Sequence, residues 1–256
     1  MSKAAATRRT ILAAAPALAA AGAARAAQPT RPATFVLVHG AWHGGWCWER
    51  VVQRLQAKGH RVYAPTLTGL CERSHLLTPA VNLTTHVTDV VNEIRWKDLD
   101  KVVLVGHSYG GPVITGVAEQ VGDRIASIVY LDAFIPADGQ SVADTAPATF
   151  SFTGLSVPAP KASGFNVNAA DQAWVDSKLT PQPTACMTEK LRVTGAYKRI
   201  PKRVYIQAVR NGRGQFDGAV RGLAADRAWI IHKVESGHDV MVDKPDELTA
   251  LLEASA

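Results

Sequence analysis

The residues Gly106-His107-Ser108-Tyr109-Gly110 follow directly on the apolar, β-branched run Val102-Val103-Leu104-Val105. They precede Gly111-Pro112-Val113-Ile114-Thr115-Gly116-Val117-Ala118, where a proline sits as a first helical turn tolerates it. The order is therefore strand, G-x-S-x-G turn, helix. Two glycines at these positions let strand and helix approach closely around a strained backbone, and the serine hydroxyl is carried out at the end of a sheet.

The rest of the chain supplies that sheet. Short β-branched runs alternate with helical patterns, the signature of an α/β fold with a mostly parallel sheet flanked by helices. Strands are predicted at Thr34 to Val38, Arg61 to Ala64, Lys101 to Val105, Ile125 to Leu131, Arg203 to Val209 and Ala228 to Val234. Apolar residues at helical spacing predict helices from Trp48 to Lys58, closed by Gly59, and from Leu83 to Trp96. From about Pro136 to Arg199 the rhythm breaks, with Pro147, Pro158, Pro160, Pro181 and Pro183 between weak helical stretches such as Ala169 to Leu179. Phe150, Phe152, Phe165, Trp174 and Met187 give this segment more apolar bulk than a solvated loop carries, so residues 136–199 are expected to form a lid.

A chain of 256 residues with 47% hydrophobic and 20% charged residues suits one well-buried domain. Residues 1–26 are expected to stand apart from it as an export signal. They run basic (Lys3, Arg8, Arg9), then apolar from Ile11 to Ala24, then Ala24-Arg25-Ala26, an A-x-A cleavage pattern that would start the mature protein near Ala27. The adjacent arginines in Thr7-Arg8-Arg9-Thr10-Ile11-Leu12 resemble a twin-arginine signal, which points to a periplasmic or secreted protein. The apolar run is shorter than the ~20 residues a spanning helix needs, so no membrane association is expected of the mature form. Four of the formal +6 charges lie in this segment, and the remaining +2 gives no basis for nucleic-acid binding. Cys47, Cys71 and Cys186 allow at most one internal disulfide, or three free thiols. No zinc-spaced cluster occurs and His39 with His43 lacks a ligand pair's helical context, so neither metal nor cofactor is expected.

A serine hydroxyl is a poor nucleophile until a base takes its proton. His238 is the best placed histidine: it lies in Ser236-Gly237-His238-Asp239 after the last predicted strand, before Asp243 as a helix cap and Pro245 in that helix's first turn. His60, His75, His86 and His232 read as surface or packing residues, and His107 as structural. An oxyanion hole needs two backbone N–H donors, one following the nucleophile and one from the loop after an early strand. Tyr109 and Ala41, the latter in His39-Gly40-Ala41-Trp42-His43-Gly44-Gly45-Trp46, are those expected.

With these residues in view the chain resembles the α/β-hydrolase family of plant methylesterases and hydroxynitrile lyases and its bacterial esterase relatives. The resemblance rests on Phe35 to Trp48, Leu104 to Gly111 and Ser236 to Asp239. It implies the family's fold, its lid and a Ser-His-acid triad. The family usually places its acid after the penultimate strand, where Arg203 to Asn211 here puts Asn211. Asp132, ending Val129-Tyr130-Leu131 and lying 24 residues after Ser108, is expected to serve instead, with Asp217 the runner-up.

The expected activity is hydrolysis of a small-molecule carboxylic ester through Ser108, His238 and Asp132. A hydroxynitrile lyase is the competing enzyme. The resemblance would then call for a lysine after the catalytic histidine and a threonine after the first-strand histidine, where this chain has Asp239 and Gly40. A ligand-binding member of the fold without catalysis is the third possibility. Trp42, Phe134 and Trp174 are expected to contact substrate, with Trp46, Phe150, Phe152 and Phe165 adding to an apolar pocket.

Overall fold

The computed structural model describes residues 32–145, 151–211 and 216–256. The expected export signal, Pro147 and Phe150 lie outside the described residues. In chain order the elements begin with β1 (Thr34–Val38), α1 (Glu49–Ala57), β2 (Arg61–Tyr63), α2 (Leu83–Trp96), β3 (Val102–His107), α3 (Gly110–Val121) and β4 (Ile125–Leu131). There follow β5 (Ser156–Val157), α4 (Gln172–Lys178), β6 (Gln182–Pro183), α5 (Thr184–Thr188), β7 (Lys202–Ala208), α6 (Asp217–Ala224), β8 (Trp229–Val234), α7 (Val240–Asp243) and α8 (Pro245–Ala254).

Among the described residues, six strands form a parallel sheet in the order β2-β1-β3-β4-β7-β8, flanked by helices. Every residue of β3 is buried. A central parallel strand covered on both faces needs a continuous apolar run rather than an alternating one, which is what Val102 to Val105 supplies. Helix α2 has the predicted bounds because both ends of its signal are local. Asn82 Oδ1 accepts from the Thr85 backbone N–H and Thr85 Oγ1 from that of Asn82, while Val87, Val90, Val91 and Ile94 face the core. Helix α1 is shorter than predicted by a residue at each end, and Gly59 follows it at φ +86°.

The sheet order sets where a site forms. After β1 the chain turns outward to β2, whereas β3 lies on the other side of β1. Loops leaving β1 and β3 therefore diverge above their carboxyl ends and leave a crevice, the usual position for a ligand in such sheets. Ala41, Ser108, Asp132, Asn211 and His238 follow β1, β3, β4, β7 and β8 respectively, so all belong to this one edge.

The connection between β4 and β7 carries the antiparallel pair β5–β6 and the helices α4 and α5. Its weak helical signal from Ala169 to Leu179 shrinks to Gln172–Lys178. The connection is tied to the rest of the domain by polar anchors. Arg50 of α1 grips Asp171 in two parallel bonds of 2.6 and 2.8 Å, and the His238 N–H donates to Phe165 O at 2.8 Å. Asp243, the expected helix cap, does different work. It ends α7, and its Oδ1 accepts from both N and Nδ2 of Asn168, while Pro245 opens α8 as expected.

The three cysteines are free thiols, Cys47 and Cys186 buried, and burial pushes the Cys186 thiol up to about 12. Among the described residues no His, Cys, Asp and Glu cluster could hold a metal ion, and no helix is long and apolar enough to cross a membrane.

The close approach of α3 to the end of β1 tests this packing. A Cβ on Gly110 would lie 2.8 Å from Val38 O and 2.9 Å from His39 O, both backbone atoms that cannot move aside. Gly110→Ala is expected to destabilise the fold by about 1–3 kcal/mol through overpacking, read as a lowered midpoint in urea.

Candidate active site

Ser108 stands at the top of β3 with φ +52°, a left-handed conformation that a non-glycine residue adopts only under restraint. The restraint is backbone bonding to the neighbouring strand end: Ser108 N–H donates to Leu131 O at 3.1 Å, and Ser108 O accepts from Phe134 N–H at 3.2 Å. The flanking glycines are sterically required as well, since a Cβ on Gly106 would lie 2.6 Å from Gly110 O. The serine is 8% exposed and so keeps an opening to solvent.

Asp132 repeats the same device one strand over. It lies at φ +42°, with its N–H donating to Ile206 O at 2.7 Å, and the Tyr205 hydroxyl brackets the following peptide, accepting from Ala133 N–H and donating to Ala133 O. The buried Asp132 Oδ2 lies 2.6 Å from His238 Nδ1. A carboxylate there can only accept, so Nδ1 carries the hydrogen, and in the neutral ring this is the tautomer that leaves the Nε2 lone pair free. Oδ1 accepts from Ala208 N–H at 3.2 Å. Asn211 is also present: its Nδ2 donates to Asp132 Oδ2 at 2.5 Å and approaches His238 Nδ1 to 3.3 Å. The latter is proximity rather than a bond, because both nitrogens are donors. Asp217, the alternative acid, is turned elsewhere and accepts from Gln207 Nε2 at 2.7 Å.

The His238 ring is held between aromatic faces. Phe165 stacks on it at 6.0 Å and Phe216 at 5.6 Å between ring centroids, and Phe134 packs edge-on against Phe216 at 4.9 Å. Beneath it lies His107 at 4.4 Å, whose Nε2–H donates to His238 O at 3.0 Å. Burial holds the His107 ring well below the usual histidine range, so it is a neutral support for the loop.

Ala41 and Tyr109, the expected oxyanion donors, occupy the loops after β1 and β3, and among the described residues neither backbone N–H has an acceptor. Trp42 N–H does have one, Gln182 Oε1 at 3.0 Å. Trp42 is at φ +66° and is bonded twice more to the β4–β7 connection. Its Nε1–H donates to Val157 O at 3.1 Å, and its carbonyl accepts from Thr180 N–H at 3.0 Å. Tyr109 points its hydroxyl away into the core, where it donates to His86 Nδ1 at 2.9 Å while His86 Nε2–H donates to Thr68 O at 2.8 Å. Burial pulls His86 down to about 4, consistent with that neutral ring.

One buried histidine goes the other way. His43 donates from Nδ1 to Ala41 O at 2.8 Å and from Nε2 to Asp239 Oδ2 at 3.1 Å, so both ring nitrogens carry hydrogen. Burial disfavours its charge, but the Asp239 carboxylate outweighs burial and raises it. Burial would likewise raise Asp239, and the His43 charge overcomes this and draws it down to about 2. The pair joins the loop holding Ala41 to the loop holding His238.

The structure thus groups Ser108, His238, Asp132, Ala41, Tyr109 and Phe134 around one strand edge. Of the residues expected to touch substrate, Trp42 packs against Phe165 at 5.9 Å as part of the clamp just described. Trp174 is not among this group: its ring meets Trp46 edge-on at 5.1 Å and lies under the Arg50 guanidinium at 5.3 Å. Phe216, Gln182 and the His43–Asp239 pair had no signal in the sequence beyond residue type, because each acquires its role through partners distant along the chain.

Residues 35–251 match the alpha/beta hydrolase family. The chain belongs to that family. A carbendazim hydrolyzing esterase from Nocardioides sp. (strain SG-4G) is 41% identical over 240 residues, 87% of this hydrolase and 99% of the relative. Methylesterase 1 of Arabidopsis thaliana is 32% identical over 158 residues, 57% of this chain and 51% of that protein. Among solved structures, an extracellular alpha/beta-hydrolase from a Paenibacillus species superposes with a TM-score of 0.77 at 28% identity, covering 88% of this chain and 99% of that one. These similarities set the hydrolase among enzymes that hydrolyse esters.

The buried His43–Asp239 pair has a calculable pH signature. Asp239 is depressed from 3.8, so its contribution to stability is present above that value and lost as pH falls through about 2. His43 is raised from 6.5, so its contribution is complete below that value and lost as pH rises through the higher folded one. Asp239→Asn leaves a buried imidazolium unpaired and is expected to cost about 3–5 kcal/mol. In urea titrations the gap between wild type and variant should be widest between roughly pH 4 and 6.5 and narrow on either side.

Proposed function

We propose that the protein is a serine esterase, with Ser108 as nucleophile, His238 as general base and acid, and Asp132 as the triad acid. The observation that carries this reading is the 2.6 Å contact of Asp132 Oδ2 with His238 Nδ1, on the same sheet edge as a serine held in a left-handed turn. In the reaction Ser108 Oγ attacks the ester carbonyl and its proton passes to His238 Nε2. The carbonyl oxygen becomes an oxyanion stabilised by the N–H groups of Ala41 and Tyr109. Collapse breaks the carbon–oxygen bond to the alcohol, which leaves with the proton from His238. Water then attacks the acyl-enzyme with His238 again as base, releasing the carboxylic acid and restoring the Ser108 hydroxyl. Asp132 orients the imidazole and stabilises its charged form. Phe134 and Trp42, with Phe165 and Phe216, support an apolar substrate, and the β4–β7 connection is read as the lid over it.

The name of the Nocardioides relative makes carbendazim the first substrate to try here, beside p-nitrophenyl esters of increasing acyl length. Cyanohydrin cleavage finds no support at Asp239, whose fully buried carboxylate is committed to His43. Residues 1–26 are read as an export signal that directs the protein to the periplasm or beyond, and mass spectrometry of exported protein should find Ala27 at its N-terminus.

Ser108→Ala is expected to keep the wild-type circular dichroism and unfolding midpoint but to lower kcat by about 10⁴-fold or more. A fluorophosphonate probe should label wild type at Ser108 and leave the variant unlabelled. Undiminished ester turnover in the variant would refute the assignment, and an unreactive wild-type serine would favour a binding protein over an enzyme.

A further inference from the structure

The peptide planes on either side of Ala41 are each held by a buried histidine. Before it, His39 Nε2 accepts from Leu67 N–H at 3.0 Å, which leaves the ring hydrogen on Nδ1 to donate to Gly40 O at 2.8 Å. After it, His43 Nδ1–H donates to Ala41 O at 2.8 Å, and the N–H of that same peptide, Trp42 N–H, donates to Gln182 Oε1 at 3.0 Å. A trans peptide is rigid, so planes fixed on both sides set the φ and ψ of Ala41 and aim its N–H. The two rings differ at their far nitrogens. His39 meets a donor there and always has a hydrogen for Gly40, whereas His43 Nε2–H meets a second acceptor, the Asp239 carboxylate at 3.1 Å.

Resting on the esterase reading, we infer that His43 is a positioning residue for the oxyanion pocket: its Nδ1–H holds Ala41, and the Asp239 carboxylate makes that hold depend on the ring carrying both hydrogens. A neutral His43 has one hydrogen for two acceptors. The carboxylate is the stronger acceptor and takes it at Nε2, which sets the Nδ1 lone pair against Ala41 O. That carbonyl then turns away and carries its peptide plane with it, so the pocket is lost while Ser108, His238 and Asp132 stay in place.

The ring is stacked on Trp46 at 5.3 Å and lies edge-on to Phe165 at 5.5 Å and to His107 at 6.1 Å. The ionisable groups around it are Asp239, His107 and His39, with His238 and Cys47 beyond Asp239. Burial keeps His39 and His107 neutral and the Cys47 thiol protonated, so Asp239 is the charge that decides the state of His43.

Asp239→Asn removes the competition between the two acceptors. Among the described residues Asp239 Oδ1 has no hydrogen-bond partner and lies 4.0 Å from His107 Nε2, the atom that carries that ring's hydrogen. An asparagine oxygen suits this place, which puts the amide nitrogen in the place of Oδ2 as a donor to His43 Nε2. Turned over, the amide would set Nδ2 against the His107 hydrogen and again leave the His43 Nδ1 lone pair against Ala41 O. With the favoured orientation a neutral His43 keeps Nδ1–H for Ala41 throughout the alkaline range.

The test measures kcat and KM on one p-nitrophenyl ester from about pH 6 to about pH 10, with circular dichroism at each pH, for wild type, Asp239→Asn, the double variant Asp239→Asn with His43→Leu, and Ser108→Ala. Wild-type kcat is expected to fall about tenfold per pH unit above the raised value of His43, with KM little changed. Asp239→Asn is expected to hold its kcat level over the same range. The double variant keeps no hydrogen for Ala41 O and is expected to be about 100-fold slower than Asp239→Asn at every pH. Its affinity for an aryl trifluoromethyl ketone, which Ser108 converts to a hemiketal oxyanion, should fall in proportion while KM does not. A packing role for the ring would give neither the level pH profile of Asp239→Asn nor this split. The double variant buries no charge, so it decides the matter against wild type even where Asp239→Asn fails to fold. A folded double variant as fast as wild type would overturn the inference, as would an Asp239→Asn that loses activity along the wild-type alkaline limb. Full activity in Ser108→Ala would instead remove the esterase reading on which the inference rests.

Discussion

A side chain at φ near +50° sits in a backbone well that costs on the order of 1–3 kcal/mol, and this fold pays that cost twice at adjacent strand ends. Ser108 and Asp132 close β3 and β4 at φ +52° and +42°. Each is held by the next strand in the sheet: Ser108 N–H reaches Leu131 O, and Asp132 N–H reaches Ile206 O. The register of three parallel strands therefore fixes where the hydroxyl and the carboxylate leave the backbone. Because these bonds continue the sheet ladder, loss of β3–β4–β7 packing would displace both groups together.

The imidazoles around this edge are sorted by their partners. His39 and His86 each face one backbone carbonyl and one donor, Leu67 N–H for His39 and the Tyr109 hydroxyl for His86. That pattern suits a neutral ring, and burial pulls His39 down to about 3. His43 faces two acceptors, Ala41 O and Asp239, and takes the charge. Equally buried rings thus differ in protonation because of what lies at each nitrogen rather than how deep they sit. Among these imidazoles the charge falls on the one that ties two loops together through Asp239.

The strands and the long amphipathic helices were legible in the sequence because their signals are local. β1 and β4 match the predicted residues, and α2 carries its own cap and apolar stripe. The G-x-S-x-G turn put Ser108 at the end of β3, and the apolar run before Asp132 put it at the end of β4, where the structure has them. What the sequence did not disclose depends on residues that meet from far apart. Gln182 meets Trp42 across 140 residues, His43 meets Asp239 across 196, and Phe216 reaches His238 from the start of α6. The alignment that put Asn211 in the usual acid position located it correctly relative to His238, but no sequence pattern reveals that its amide bonds to Asp132.

Trp42 sits next to Ala41 in a left-handed conformation, and its backbone N–H, carbonyl and indole N–H are all bonded to the connection between β4 and β7. Any movement that parts the connection from the sheet edge would have to break all three bonds and would free the loop bearing Ala41. On the esterase reading proposed above, access and the placing of the oxyanion donor would then be thermodynamically linked. Selection among substrates would extend to how well each lets Gln182, Val157 and Thr180 hold Trp42, a criterion set by fit beneath the connection and separate from the reactivity of the ester itself.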